Sequence, residues 1–541
     1  MNKKKNQTTE ENFALALQNH KKNNLQIAKK LYNETLKSSP YYEGVHSNLG
    51  ILYNQLGEHQ KAMNCYEKAI KIQPNNSAAY NNLGNTLKEL GEYQKAMSSY
   101  EKAIQINTNY VDAYYNLGII LSELGEYQKA MSSYEKVIQI NPNHIDAHNN
   151  LGNILNELGE NQKALNSYEK AIKIEPENLT SHWLSMNTFP VIYNNFEEID
   201  QYRKNFLKSI KKVNLLLDTQ SKYSKKQLVN AIKSSTNFYL HYQGKDVLEL
   251  QQHYAQLIEQ ITQNIYQEFH KERKKNISSK YIKIGFVSSF FRSHTVSKLF
   301  KNWILKLDQK YFKRFVYYVD NKFDHTTNEI KQNVDYFFNH TDVDQLINQI
   351  SHDNLDVLIY LDIGMRPIIQ ILSSLRLAPI QCNTWGHPVT SGFKNIDYYF
   401  SSELMEDQNS QKYYSENLIM LPNLGINYDF PNLSNIKKPN ILNKSNTTIF
   451  LNLQSLFKLL PQDDHIYLDI LKKNSNCCFW FIHGKKNSVT SIFKERISKL
   501  FKKEGYDFEK YSYFHPRCSQ EEFFGLIDES DIILDSFNWS G

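Results

Sequence analysis

The first third of the chain repeats its pattern of small, aromatic and polar residues every 34 positions. The positions in register are the glycines Gly50, Gly84, Gly118 and Gly152, the turn glycines Gly57, Gly91, Gly125 and Gly159, the alanines Ala28, Ala62, Ala96, Ala130 and Ala164, and the tyrosines Tyr32, Tyr66, Tyr100, Tyr134 and Tyr168. The pattern predicts pairs of helices that approach closely through the small residues, with tyrosine filling the gap and Leu-Gly-Glu forming the turn.

A 34-residue helix–turn–helix unit with these positions is the tetratricopeptide (TPR) repeat. One unit cannot bury its apolar face alone, so consecutive units stack into an α-solenoid with a concave groove. We therefore predict an α-solenoid of about five repeats over residues 7–180. By itself such an arm indicates a scaffold that binds proteins.

A set of asparagines recurs at the same position of successive first helices: Asn48, Asn82, Asn116 and Asn150. A carboxamide offers two donors and an acceptor, so a row of them can hold an extended peptide backbone without reading its sequence. Alternatively, each asparagine satisfies a helix–helix contact. The periodicity alone leaves both interpretations open.

Beyond the repeats, the pattern changes to helices and then to strands that alternate with helices. Residues 181–280 carry apolar residues at three- and four-residue spacing, which predicts a helical connecting region. Strand-like runs follow at residues 282–287, 315–319, 357–361 and 396–400, and they predict an α/β lobe with a parallel sheet over residues 281–435. Further runs at 448–453, 478–482, 511–514 and 532–534 predict a second α/β lobe over residues 445–541.

Candidate site residues lie where these strands end, because ligands of α/β proteins gather at the carboxyl ends of parallel strands. His294 follows the first strand and a Ser-Ser turn, and it is either a proton acceptor or a helix-capping or satisfied core residue. Thr390 and Ser391 lie in a compact glycine-containing loop that suits a phosphate or sugar hydroxyl, or that only makes a tight turn. Lys458, with Gln454 and Ser455, lies at a predicted strand-to-helix junction, where it can neutralise a diphosphate and add charge to the helix N-terminus; alternatively it is a solvated helix lysine.

Composition narrows the possible functions. The 541 residues carry a net charge of +6 without interleaved basic and aromatic residues, which argues against nucleic-acid binding. No run approaches the roughly 18 apolar residues of a membrane span, and the start lacks the apolar core of a secretory signal. Five cysteines without metal-ligand spacing are typical of a reduced, cytoplasmic protein.

The order of several motifs resembles the O-linked N-acetylglucosamine transferase and SPINDLY family, in a bacterial-type branch. The motifs are TPR repeats followed by VSSFFRSHTVSK, LAPIQCNTWGHPVTSG, DYYFSSELM, YYSENLIMLPN and LQSLFKLLP. The resemblance implies a GT-B core of two Rossmann-like lobes that moves a sugar from a nucleotide sugar to Ser or Thr of a protein. N-acetylglucosamine from UDP-N-acetylglucosamine is the expected donor group, and no metal ion is expected.

The same resemblance implies roles for individual residues. His294 matches a histidine that acts as a base or contacts the acceptor, and Lys458 matches the lysine that holds the donor diphosphate. The asparagines described above match a ladder that binds the acceptor polypeptide in the TPR groove. This chain departs from the animal enzymes, which have Asp in place of Phe290. It also has Gln520 where the family carries a lysine near the donor base.

The last residues, DIILDSFNWSG, form a predicted strand that enters a loop ending at Gly541. In the family this loop continues into a helix whose N-terminus binds the donor phosphates, so Gly541 is the last candidate donor-binding residue. We therefore expect a truncated second lobe with impaired donor binding. The alternative function is a TPR interaction scaffold with an inactive or truncated glycosyltransferase domain.

Overall fold

The computed structural model describes residues 8–42, 44–218, 223–274, 280–427, 429, 433, 435–439 and 447–537. The chain divides into two compact units, residues 1–176 and 177–541. Across the described residues, no helix combines the length and apolar character needed to cross a bilayer.

The described residues of the first unit fold into ten helices that pair as five helix–turn–helix repeats. Their bounds are α1 (Thr9–Lys21), α2 (Leu25–Ser38), α3 (Val45–Gln55), α4 (His59–Ile72), α5 (Ser77–Glu89), α6 (Tyr93–Ile106), α7 (Val111–Glu123), α8 (Tyr127–Ile140), α9 (Ile145–Glu157) and α10 (Asn161–Ile174). The helices of a pair meet at glycine: a Cβ placed on Gly84 would lie 2.5 Å from the ring of the fully buried Tyr100. The predicted small-residue contacts and the TPR fold are confirmed.

The second unit begins with four helices that cover one face of a seven-stranded sheet. These helices are α11 (Leu179–Met186), α12 (Phe196–Asp218), α13 (Lys225–Ser234) and α14 (Leu248–Ile265). A 3-10 turn at Phe238–Tyr242 separates the last two. Side chains from these helices share one core with residues of the sheet, so the connecting region is an integral layer of the first lobe.

The first lobe is a parallel sheet in the order β3-β2-β1-β4-β5-β6-β7. Its strands are β1 (Ile282–Ser288), β2 (Phe312–Tyr318), β3 (Tyr336–Asn339), β4 (Val357–Tyr360), β5 (Ile380–Thr384), β6 (Tyr398–Ser402) and β7 (Asn417–Leu421). The helices between them are α15 (Thr295–Leu305), α16 (His325–Gln332), α17 (Val343–Asp353) and α18 (Pro367–Ser373). The strand order reverses between β1 and β4, and a crevice for ligands forms at such a switch point.

Three strands of this sheet, β3, β5 and β7, were not predicted from the sequence. Strand β5 was missed because Gln381 and Asn383 make its sequence polar, although both side chains are fully buried. Gln381 is stable there because its amide nitrogen donates to the carbonyl oxygens of Leu375 and Asn395 at 2.8 and 2.7 Å. The backbone N–H of Leu377 donates in turn to its side-chain oxygen at 2.7 Å.

The second lobe is a smaller parallel sheet in the order β10-β9-β8-β11. Its elements are β8 (Thr448–Asn452), α19 (His465–Lys473), β9 (Cys477–Ile482), α20 (Asn487–Lys503), β10 (Ser512–His515), α21 (Gln520–Glu529) and β11 (Ile532–Leu534). Helices α19 and α20 pack on one face and α21 on the other. Here the switch point lies between β8 and β11, so the predicted two-lobed α/β class is confirmed and each lobe has one candidate ligand edge.

Candidate functional site

His294 lies at the carboxyl edge of β1, at the first-lobe switch point, and it is the N-cap of α15. Its Nδ1 accepts a hydrogen bond from the backbone N–H of Val296 at 3.2 Å. The ring stacks on Phe290, with centroids 4.1 Å apart and planes 18° from parallel. The structure thus places this histidine as a helix cap at the predicted ligand edge.

The cap determines what the imidazole can do chemically. A backbone N–H always donates, so Nδ1 must carry a lone pair and the proton of the neutral ring lies on Nε2. Partial burial, together with the positive charges of Arg292 and Arg366, lowers the pKa of His294 to about 4. At neutral pH the ring therefore offers an N–H donor at Nε2. A ring in this state is better suited to donate a hydrogen bond to a substrate than to abstract a proton. The catalytic role of His294 therefore stays a prediction.

Asp362 follows β4 directly across the switch point from His294, and its side chain is fully buried. Its Oδ2 accepts from the backbone N–H of Ser289 at 3.2 Å, and Ser288 also hydrogen-bonds to the carboxyl. Burial raises the pKa of Asp362 to about 7, against the opposing effects of these hydrogen bonds and of the Arg366 charge. Sequence reasoning passed over this carboxyl, although an acid directly after an apolar strand run is the pattern that could have found it.

Thr390 and Ser391, the predicted donor-contacting hydroxyls, are both buried against Glu416. The Thr390 hydroxyl donates to Glu416 Oε2 at 2.6 Å, and the Ser391 backbone N–H donates to Glu416 Oε1 at 2.8 Å. The Ser391 hydroxyl donates to the same carboxylate. With their donors spent on an anion, the geometry favours the tight-turn interpretation of this loop over donor binding.

A pair of buried histidines fixes the same loop to the connecting helices. Gln251 donates through Nε2 to the carbonyl oxygen of Ser391 at 3.2 Å, so its Oε1 accepts from His241 Nε2 at 3.0 Å. His241 Nδ1 must then accept from Nε2 of His387. Burial lowers the pKa of His241 to about 4 and that of His387 well below its usual range. Both rings are neutral links in a structural chain.

In the second lobe, three predicted donor-binding residues gather at the carboxyl end of β8. Gln454 is buried and donates through Nε2 to Asp535 Oδ1 at 2.7 Å, which bridges β8 and β11 at the switch point. Ser455 is exposed beside it. Lys458 is half-buried, and burial lowers its pKa while Asp535 opposes that shift. An ammonium with no salt-bridge partner among the described residues is suited to a diphosphate.

One expectation about Lys458 is wrong in detail. The residue lies in a 3-10 turn, Leu456–Lys458, and the following α-helix begins only at His465. Pro461 opens a second 3-10 turn before that helix. The charge of Lys458 therefore does not add to the N-terminus of a long helix.

A buried ion pair holds the turn that carries Lys458. Arg496 donates to both oxygens of Asp464, at 2.7 and 2.9 Å. The same guanidinium donates to the carbonyl oxygens of Leu459 at 2.8 Å and of Tyr193 at 2.7 Å. It thus ties the residue next to Lys458 to the connecting region.

The remaining donor-site predictions fall at the margin of the second lobe. Gln520 is the exposed first residue of α21, which is capped by Ser519 through a reciprocal bond with Glu522. Gly541 lies outside the described residues. In the part of the chain that the structure describes, no group of three or more His, Cys, Asp or Glu side chains is placed to hold a metal ion.

The ladder asparagines of the TPR arm are half-buried in all four repeats: Asn48, Asn82, Asn116 and Asn150. Asn116 Nδ2 donates to Asn81 Oδ1 of the preceding repeat at 3.1 Å. Asn150 Nδ2 likewise donates to the Tyr115 hydroxyl at 3.3 Å. Two members therefore make the helix–helix contact of the alternative interpretation while they remain partly exposed, and peptide binding stays a prediction.

An α-solenoid followed by two parallel-sheet lobes, each with polar groups at its switch point, defines a TPR protein with a GT-B core. Comparison with known proteins agrees. The pattern of glycosyl transferase family 41 matches residues 205–433. TPR patterns match residues 52–91, 84–125, 111–144 and 145–178. The chain carries a family 41 glycosyltransferase domain preceded by TPR repeats, as the resemblance predicted.

Two curated relatives and one solved structure are similar to the chain. The probable UDP-N-acetylglucosamine–peptide N-acetylglucosaminyltransferase SEC of Arabidopsis thaliana is 24% identical over 39% of this chain and 22% of its own length. The UDP-glucose:protein N-beta-glucosyltransferase of Actinobacillus pleuropneumoniae is 25% identical over 36% of this chain and 30% of its own length. A mutant form of the Thermobaculum terrenum O-GlcNAc transferase shares the fold, with a TM-score of 0.55 at 16% identity over 86% of this chain and 79% of that one. The chain thus aligns with under a third of either curated relative.

Proposed function

We propose that this chain is a protein glycosyltransferase that moves N-acetylglucosamine from UDP-N-acetylglucosamine to Ser or Thr of a polypeptide held by the TPR groove. The family 41 match carries the proposal, because residues 205–433 include the edge formed by β1, β4 and His294. The similarity to two curated relatives, a probable peptide N-acetylglucosaminyltransferase and a protein glucosyltransferase, supports it.

The proposed reaction uses the carboxyl edges of both sheets, with His294 at the edge of the first lobe and Lys458 at the edge of the second. The acceptor hydroxyl forms a bond to the anomeric carbon of the sugar while the bond from that carbon to the nucleotide diphosphate breaks, and the hydroxyl proton passes to an oxygen of the departing diphosphate or to water. Lys458 neutralises negative charge on the departing diphosphate, which stabilises the transition state. His294 donates through Nε2 to the acceptor, orienting it for attack. Because a lysine supplies the positive charge, we propose a transfer that needs no metal ion. We also propose that it takes place in the cytoplasm, since the five cysteines lack metal-ligand spacing and are typical of a reduced protein.

The test is a transfer assay on the full chain. Incubation with UDP-N-acetylglucosamine or UDP-glucose and a Ser/Thr peptide library, followed by mass spectrometry and measurement of released UDP, identifies the sugar and the acceptor. Lys458→Met should lower kcat/KM by about 100-fold if it stabilises the leaving group. Lys473→Met, at an exposed position near the end of α19, is the matched control and should keep the wild-type rate.

Two results would contradict the proposal, the first for the role of Lys458 and the second for the transfer itself. One is UDP release and transfer at equal rates in wild type and Lys458→Met, which would remove the assigned role of that lysine. The other is tight peptide binding without transfer from either nucleotide sugar, which would favour the interaction scaffold.

A further inference from the structure

The Phe290 ring, at the first-lobe switch point, is surrounded by three cationic or imidazole side chains. His294 stacks on it at 4.1 Å. The guanidinium of Arg292 lies 5.4 Å from the ring centroid and that of Arg366 lies 5.6 Å from it. Cation–π contacts at these distances hold a guanidinium in place without consuming its N–H donors. Two arginines from different loops are thus held beside the residue predicted to contact the acceptor.

The two arginines differ in what they already bind. Arg292 Nε lies 3.5 Å from Asp320 Oδ2, and these two buried atoms make no proper hydrogen bond among the described residues. Arg366 is exposed and forms no hydrogen bond or ion pair through its guanidinium in the part of the chain described. All five of its N–H donors therefore remain available to a ligand.

Three carboxyl groups face this cluster, and one of them, Asp320, pairs with Arg292 at 3.5 Å. Asp324 accepts from the backbone N–H of Ser293 at 2.6 Å and caps α16 through its other oxygen. Asp362 is fully buried and accepts from Ser289 through Oδ2, its Oδ1 has no hydrogen-bond partner among the described residues, and the charge of Arg366 opposes the rise in its pKa that burial causes. The positive charges of both arginines act on the His294 imidazole, because they lower its pKa in addition to the larger effect of burial. Of the two arginines, only Arg366 therefore lacks a salt-bridge partner among the described residues.

We propose that Arg366, with Arg292 beside it, forms a subsite on the first lobe for an acidic side chain of the acceptor polypeptide, close to the residue that is modified. A guanidinium binds a planar carboxylate through two parallel hydrogen bonds, which fits the free donors of Arg366. A diphosphate offers similar oxygens, but Lys458 at the other sheet edge is already assigned to the donor. This subsite rests on the proposed function and adds an acceptor preference to it.

The experiment compares matched acceptor peptides in which the residues flanking Ser or Thr are either Asp or Asn. Wild type should modify the Asp peptide about tenfold faster in kcat/KM, a ratio equivalent to about 1.4 kcal/mol. Arg366→Gln should bring the two rates within about twofold, and Arg366→Glu should reverse the preference toward a Lys-flanked peptide. Arg366→Lys keeps the charge without the planar fork and should retain part of the preference. Lys298→Gln removes an exposed positive charge from the first turn of α15, the helix that His294 caps, and should leave the preference unchanged.

Binding measurements show whether Arg366 binds a carboxylate of the acceptor peptide or the diphosphate of the donor. They also distinguish failure of the subsite from failure of the proposed function. If Arg366→Gln weakens UDP binding and leaves the peptide preference intact, the subsite belongs to the donor and the acceptor assignment is overturned. If no peptide is modified, the proposed function fails, and fluorescence anisotropy of the same Asp and Asn peptides decides on the subsite alone. Equal affinity of both peptides for wild type would then overturn it, while tighter Asp binding that Arg366→Gln abolishes would support it.

Discussion

Asp362 allows a quantitative test of the electrostatics at the first-lobe edge. Its carboxyl is fully buried, and burial raises its pKa to about 7. In the unfolded chain an aspartate titrates near pH ~3.9. Between these two values the folded protein holds a proton that the unfolded chain has released. The free energy of unfolding must therefore fall as the pH rises through this window, and the full effect of a shift of about three pKa units is about 4 kcal/mol.

Asp362→Asn removes the titration while its side-chain oxygen can still accept from the Ser289 N–H. The variant should gain stability relative to wild type as the pH rises, by about 3 kcal/mol between pH ~5 and ~8, because most of the window lies in that range. The measurement is denaturant unfolding followed by tryptophan fluorescence. All five tryptophans lie beyond residue 176, so the signal reports the second unit alone.

Asp324→Asn is the matched control at the same edge. Hydrogen bonds from Ser293 and Thr327 outweigh partial burial and lower the pKa of Asp324, so this carboxyl stays ionised from pH ~5 to ~8. Its variant should differ from wild type by a constant amount over that range. If the Asp362→Asn difference is equally constant, the buried carboxyl does not titrate near neutrality and the reasoning above is refuted.

Three further predictions concern packing and binding. Arg496→Met should destabilise the second unit by about 3–5 kcal/mol in the same fluorescence assay, because it leaves a buried carboxylate unpaired; a loss below about 1 kcal/mol would contradict the ion-pair argument. Gly84→Ala should destabilise the TPR arm by about 1–3 kcal/mol, because the new methyl group would overlap the Tyr100 ring. Circular dichroism melting measures this loss, and an unchanged melting temperature would contradict the overlap. The double variant Asn82→Ala with Asn116→Ala should weaken acceptor-peptide binding about tenfold and leave the nucleotide-sugar KM unchanged; an effect confined to the nucleotide sugar would refute the ladder.

The sequence predicted the repeat arm almost completely because every TPR position is local and recurs each 34 residues. It placed His294 and Lys458 at strand ends for the same reason, since a strand followed by polar residues is a local pattern. It did not show that Thr390 and Ser391 are spent on Glu416, which lies 25 residues further along the chain. Contacts across such separations leave no periodic trace, so only the fold reveals which hydroxyls remain free.

The connecting region illustrates this limit most clearly. From the sequence its residues suggested only a helical cover, yet it contacts the predicted site loops of both lobes. Phe238 stacks on His387 at 5.1 Å, in the loop of the first lobe that was predicted to bind the donor. In the same 3-10 turn Tyr242 packs against Phe457 at 4.8 Å, next to Lys458 in the second lobe. One short turn therefore supports two loops that are 70 residues apart in sequence, and a change there should perturb both edges at once.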